Sequence, residues 1–220
     1  AIAVPLLGVL GTVADLLRRG PVKPTPAVVL GLLSLLLLLG AVLAGLLQAV
    51  DLAGEGTVFG FNAAALGASQ TYFVVAAVVA GGLAGVFHWS PLVWGGPVAS
   101  APGNGTVALV FLGGALLSTA SLVQAIVQLD GRTTASQLWG ALIAVGAVLF
   151  ALGALSGLAA SLRAAGDAAD GPVDDDVRGL TLEWAFPRPA VGGVELEDLA
   201  RVTSPYPLLD AREGADEEES

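Results

Sequence analysis

The sequence predicts an all-α membrane protein, a polytopic bundle of about five transmembrane helices followed by an irregular acidic tail. Of the 220 residues, 55% are hydrophobic and only 13% are charged, whereas charged residues approach a quarter of an ordinary soluble domain. The apolar residues form long runs, and apart from Asp15 the charged ones lie between these runs or near the C-terminus. These observations exclude a soluble globular domain and exclude disorder for most of the length.

The apolar runs set the number of spans. A bilayer core of about 30 Å needs roughly 20 apolar helical residues. We predict spans near 1–17, 27–50, 70–89, 105–129 and 135–162. The run 27–50 carries no charge, while the first run contains Pro5 and Asp15. The stretch 57–68 is too short to cross, which predicts an interfacial or re-entrant helix there.

The C-terminal part differs sharply in charge. Residues 1–166 carry five basic and four acidic side chains, whereas residues 167–220 carry four arginines and fifteen acids. Gly166, Gly171 and Pro172 are typical of a helix stop. We therefore expect residues 1–166 to form the helix bundle and residues 167–220 to form an extramembrane, mostly irregular tail. The chain contains no methionine, even at position 1, which indicates a processed chain or a fragment.

The charges between the spans predict the orientation. The loop at 18–26 holds Arg18, Arg19 and Lys23, whereas the loop at 51–69 holds acids only. Basic loop residues favour the cytoplasmic side. We expect an integral plasma-membrane protein of a prokaryote, with the loop at 18–26 and the C-terminal tail in the cytoplasm.

Composition also excludes several kinds of site. The chain has no cysteine, so disulfides, zinc-thiolate sites and iron–sulfur clusters are excluded. His88 is the only histidine, which excludes a multi-histidine metal site. The net charge of −10 argues against nucleic acid as a partner. We predict no catalytic residue and no metal ligand. His88 is the one candidate haem ligand, but its place at the end of a span, beside Trp89 and Pro91, favours an interfacial histidine.

Small and polar residues within the spans indicate helix packing. Small residues spaced by four let helix backbones approach closely in lipid. Three such pairs occur: Ala41 with Gly45, Gly81 with Gly85, and Gly153 with Gly157. Gln124 and Gln128 share a helical face. They predict interhelical hydrogen bonds, and the alternative is a proton or quinone path.

Several strings resemble one known family. The string TYFVVA at 71–76 is similar to the opening of the tenth helix of subunit I of haem-copper oxidases, the cytochrome c oxidase type. The run HWSP at 88–91 resembles the end of that helix. In the tail, LTLEWAFPRP at 180–189 and SPYPLLD at 204–210 resemble the oxidase tail. The resemblance implies a membrane helix bundle of the aerobic respiratory chain.

The ligands of that family are missing here. The resemblance implies two histidines, separated by one residue, directly after TYFVVA, and these bind the two haems. Here Ala77, Val78 and Val79 follow instead. Either these residues replace the histidines, or about eight residues that contained both have been deleted. Alanine and valine cannot bind iron, and His88 alone cannot replace the whole site.

The sequence therefore predicts a subunit-I-like membrane component, non-catalytic and structural or assembly-related, whose partners are the lipid bilayer and other membrane subunits of a respiratory oxidase. We expect no cofactor, since the ligands for haem and copper are missing. One alternative is a fragment of a working terminal oxidase whose ligands come from other chains, so the resemblance leaves enzyme activity undecided. The other alternative is a small transporter subunit.

Overall fold

A computed structural model describes residues 3–19, 23–53, 61–94, 96–127 and 133–166. These residues form five α-helices, and no strand occurs among them. In chain order the helices are α1 (Ala3–Arg19), α2 (Pro26–Ala53), α3 (Ala63–Trp94), α4 (Ser100–Val127) and α5 (Thr133–Gly166). The predicted all-helical fold class is confirmed. The predicted tail at 167–220 lies outside the described residues.

Four of the described helices are long and apolar enough to cross a bilayer. The candidate spans are Pro26–Val50, Ala63–Pro91, Ser100–Val127 and Gln137–Gly166. By this length and composition the chain is an integral membrane protein. The predicted span at 1–17 corresponds to α1, which has 17 residues and a length of about 25 Å at the usual helical rise. A crossing by α1 stays a prediction.

Helix α3 is longer than predicted at both ends. Residues 63–68 are its first turns, so the prediction of a separate interfacial or re-entrant helix at 57–68 is wrong for these residues; 57–60 lie outside the described part. Asn62 caps α3, because its Oδ1 accepts a hydrogen bond from the Ala65 backbone nitrogen at 3.1 Å. At the other end the helix includes Pro91 and ends at Trp94.

Contacts between the helices fix an antiparallel order. The Ser34 hydroxyl of α2 donates to the Ala77 carbonyl of α3 at 2.9 Å, and a side chain at Gly45 would meet Gln70. Contacts at increasing residue numbers along α2 therefore involve decreasing residue numbers along α3, so the two helices are antiparallel. The contacts of α3 with α4 and of α4 with α5 show the same antiparallel order.

The helices differ in how much of their surface the protein covers. In α4, 44% of the apolar window is buried, against 17% in α5 and 22% in α2. Among the four candidate spans, the apolar window of α4 is therefore the most enclosed. The exposed residues of α5 include large apolar side chains, for example Val148, Leu152 and Leu155, which are 51–63% exposed. Such a surface suits lipid or another membrane helix.

By contact grouping the chain divides into two units. The first comprises Ala1–Phe87 with Ala99–Ala160, and the second comprises His88–Val98 with the residues from Ser161. In the second unit the Ser90 hydroxyl accepts a hydrogen bond from the Val98 backbone nitrogen at 3.3 Å, which ties the end of α3 to the connection that follows it. The interhelical contacts described below belong to the first unit.

Candidate functional site

The TYFVVA string lies on α3, and its inner face is fully packed. Phe73 is 6% exposed, and Ala76 and Ala77 are each 1% exposed. A methyl group placed on Gly114 of α4 would lie 3.0 Å from the Ala76 Cβ. On the other side, Ser34 of α2 bonds the Ala77 carbonyl. The neighbouring helices therefore fill the space beside this part of α3.

The residues after TYFVVA do not fit a haem. Haem iron needs axial ligands such as histidine, methionine or cysteine, and Ala77 and Val79 carry no ligating atom. The face that bears Ala76 and Ala77 is in contact with α2 and α4. The site therefore lacks both the ligand atoms and the room that a porphyrin ring requires.

His88 lies elsewhere on α3. It comes eleven residues after Ala77, which is about three helical turns. The imidazole is partly exposed and packs edge-on against Trp89, with ring centroids 5.4 Å apart and an interplanar angle of 82°. Within the described residues, no three or more histidine, aspartate or glutamate side chains form a group that could hold a metal ion. The described residues therefore offer no second histidine to a haem bound at His88.

Hydroxyl groups join the helices. The Ser69 hydroxyl of α3 donates to the Ser118 carbonyl of α4 at 3.1 Å. Thr106 of α4 and Ser156 of α5 are bonded through their hydroxyls at 3.0 Å. The Ser118 hydroxyl is buried without a hydrogen-bond partner. The polar groups of α4 therefore contribute to its packing against α3 and α5.

A proton path along these groups has little chemical support. Among the described residues, the buried polar side chains are all serines and threonines, and their hydroxyls do not titrate near neutral pH. Gln124, from the predicted polar face, is half-buried on α4, and Gln128 lies outside the described residues. Interhelical hydrogen bonding therefore remains the better interpretation of the polar residues in α4.

Glycines bring α4 and α5 into backbone contact. A Cβ at Gly153 would lie 2.6 Å from the Val110 backbone nitrogen. Gly113 faces the Phe150 backbone, and Gly146 faces the Leu117 backbone, even more closely. We call Gly113, Gly146 and Gly153 the glycine seam. Successive contacts of the seam have increasing residue numbers on α4 and decreasing residue numbers on α5. These two helices are therefore antiparallel.

The predicted small-residue pairs have mixed outcomes. Gly153 and Gly157 both pack against neighbouring helices, as predicted. Ala41 is buried, and Gly45 lies against Gln70, which confirms that pair. Gly81 faces the Ser34 hydroxyl, whereas a Cβ on Gly85 would meet nothing within 4 Å. The four-residue spacing does not identify Gly113 and Gly146. The seven-residue spacing from Gly146 to Gly153, about two helical turns, indicates that these two glycines share a helix face.

No family model, curated protein or solved structure matches this chain. The resemblance to oxidase subunit I therefore rests on the sequence strings alone.

Proposed function

We propose that this chain is a haem-free relative of subunit I of haem-copper oxidases, and that it serves as a structural or assembly subunit of a respiratory oxidase in a prokaryotic plasma membrane. The strings at 71–76, 88–91, 180–189 and 204–210 occur in the family's order and support the relationship. The observation that carries the non-catalytic role is the closed face at Ala76 and Ala77, where α2 and α4 fill the space beside α3.

The surface of the bundle supports a role in association with other membrane subunits. Leucines and valines of α5 project from the bundle over most of the length of that helix. Helices in lipid associate through close packing and interhelical hydrogen bonds rather than through the hydrophobic effect. An apolar outer face of this kind suits both lipid and the transmembrane helices of a partner subunit.

The orientation in this proposal follows from the basic residues. Four crossings by α2 to α5 return the chain to the side from which α2 starts. Arg18, Arg19 and Lys23 precede α2, and Arg163 lies in the last turn of α5. Since basic residues favour the cytoplasm, both ends of this four-helix segment are assigned to the cytoplasmic side, and the acidic tail follows there.

A haem assay on the purified chain tests the proposal. The chain is purified in detergent, its haem content is measured as the pyridine haemochrome, and oxygen uptake is recorded on the same sample. We expect no stoichiometric haem and no oxygen uptake above the detergent blank. The variants His88→Ala and Trp94→Phe are measured in parallel, the second as a control at the same end of α3.

A second measurement tests the partner. The chain is isolated from its own membranes in mild detergent, and the haem-containing subunits that accompany it are identified by mass spectrometry. Recovery of oxidase subunits with a haem-free chain supports the proposal. A stoichiometric haem that is lost in His88→Ala and kept in Trp94→Phe would overturn the non-catalytic role, and the absence of any oxidase subunit would overturn the assignment to an oxidase.

A further inference from the structure

We draw no further inference here: the strongest candidate, the open apolar groove lined by Leu16 of α1, Val28 of α2 and Ala84 of α3, carries none, because nothing in the structure shows what covers it.

Discussion

The glycine seam predicts that one added methyl group in α5 destabilises the bundle. In Gly153→Ala the new Cβ would lie 2.6 Å from the Val110 nitrogen and 2.9 Å from the Leu109 carbonyl carbon. Both are backbone atoms of α4, so no side-chain rotation relieves the contact. The clash therefore requires α4 and α5 to move apart.

The size of the effect follows from these distances. Ordinary contact to a Cβ begins near 3.4 Å, so the Val110 nitrogen is about 0.8 Å too close. Gly113 and Gly146 hold the same two helices at further points of the seam, and separation at Gly153 loosens those contacts as well. Inserted methyl groups in well-packed cores typically cost about 1–3 kcal/mol. We expect Gly153→Ala to lower the free energy of unfolding by that amount.

Unfolding in mixed micelles measures the difference. The chain in mild detergent is titrated with dodecyl sulfate, and helix content is followed by circular dichroism. Gly140→Ala is the matched control on the same helix, because a Cβ there meets nothing within 4 Å. If Gly153→Ala and Gly140→Ala unfold at the same dodecyl sulfate fraction, the close approach of α4 and α5 is refuted.

The same titration tests three further predictions. Thr106→Val and Ser156→Ala, alone and together, should give a coupling free energy of about 0.6 kcal/mol, since the two hydroxyls bond each other in the membrane; additive effects would contradict that bond. Ser118→Ala should leave stability unchanged or raise it, because the lost hydroxyl is buried without a partner; a clear loss of stability would reveal a partner for it. Asp15→Asn should change stability by less than about 1 kcal/mol, because its ion pair with Arg19 is largely exposed; a larger loss would mean that the pair is shielded from water.

Helix α2 illustrates what hydropathy predicts well. Its span was predicted at 27–50, and the helix runs from Pro26 to Ala53. The run is apolar almost throughout, and Thr25 marks its start, because its hydroxyl oxygen accepts from the Val28 nitrogen at 3.4 Å. A long apolar run with a polar cap leaves few other structures available in lipid, where backbone groups must be bonded internally.

Helix α3 illustrates where hydropathy fails. Its predicted span starts at Gln70, and the preceding stretch at 57–68 is predicted as a separate interfacial or re-entrant helix. In the structure the helix begins at Ala63, and Ser69 is fully buried, since its hydroxyl bonds the Ser118 carbonyl of α4. A hydropathy scale counts a serine within a span as unfavourable. It does not include the hydrogen bond to a carbonyl of another helix, which offsets that cost. A tertiary contact therefore accommodates a polar residue within the first turns of α3.

The glycine seam was only partly predictable for a related reason. The predicted pairs are small residues spaced by four, which is a pattern within a single helix. Gly113 packs against the Phe150 backbone and Gly146 packs against the Leu117 backbone, each as a single residue and not as one of a pair spaced by four. Which glycine faces a neighbour depends on the register between two helices, and that register is not visible in either helix by itself.

The buried and exposed faces of these helices are sorted by side-chain size. Helices α4 and α5 are both predominantly apolar, yet the apolar window of α4 is far more enclosed. The buried residues of α4 include Gly113, Gly114 and Ser118, whereas α5 exposes leucines and valines. In lipid an apolar side chain gains little by moving from acyl chains to protein, so close packing decides which face turns inward.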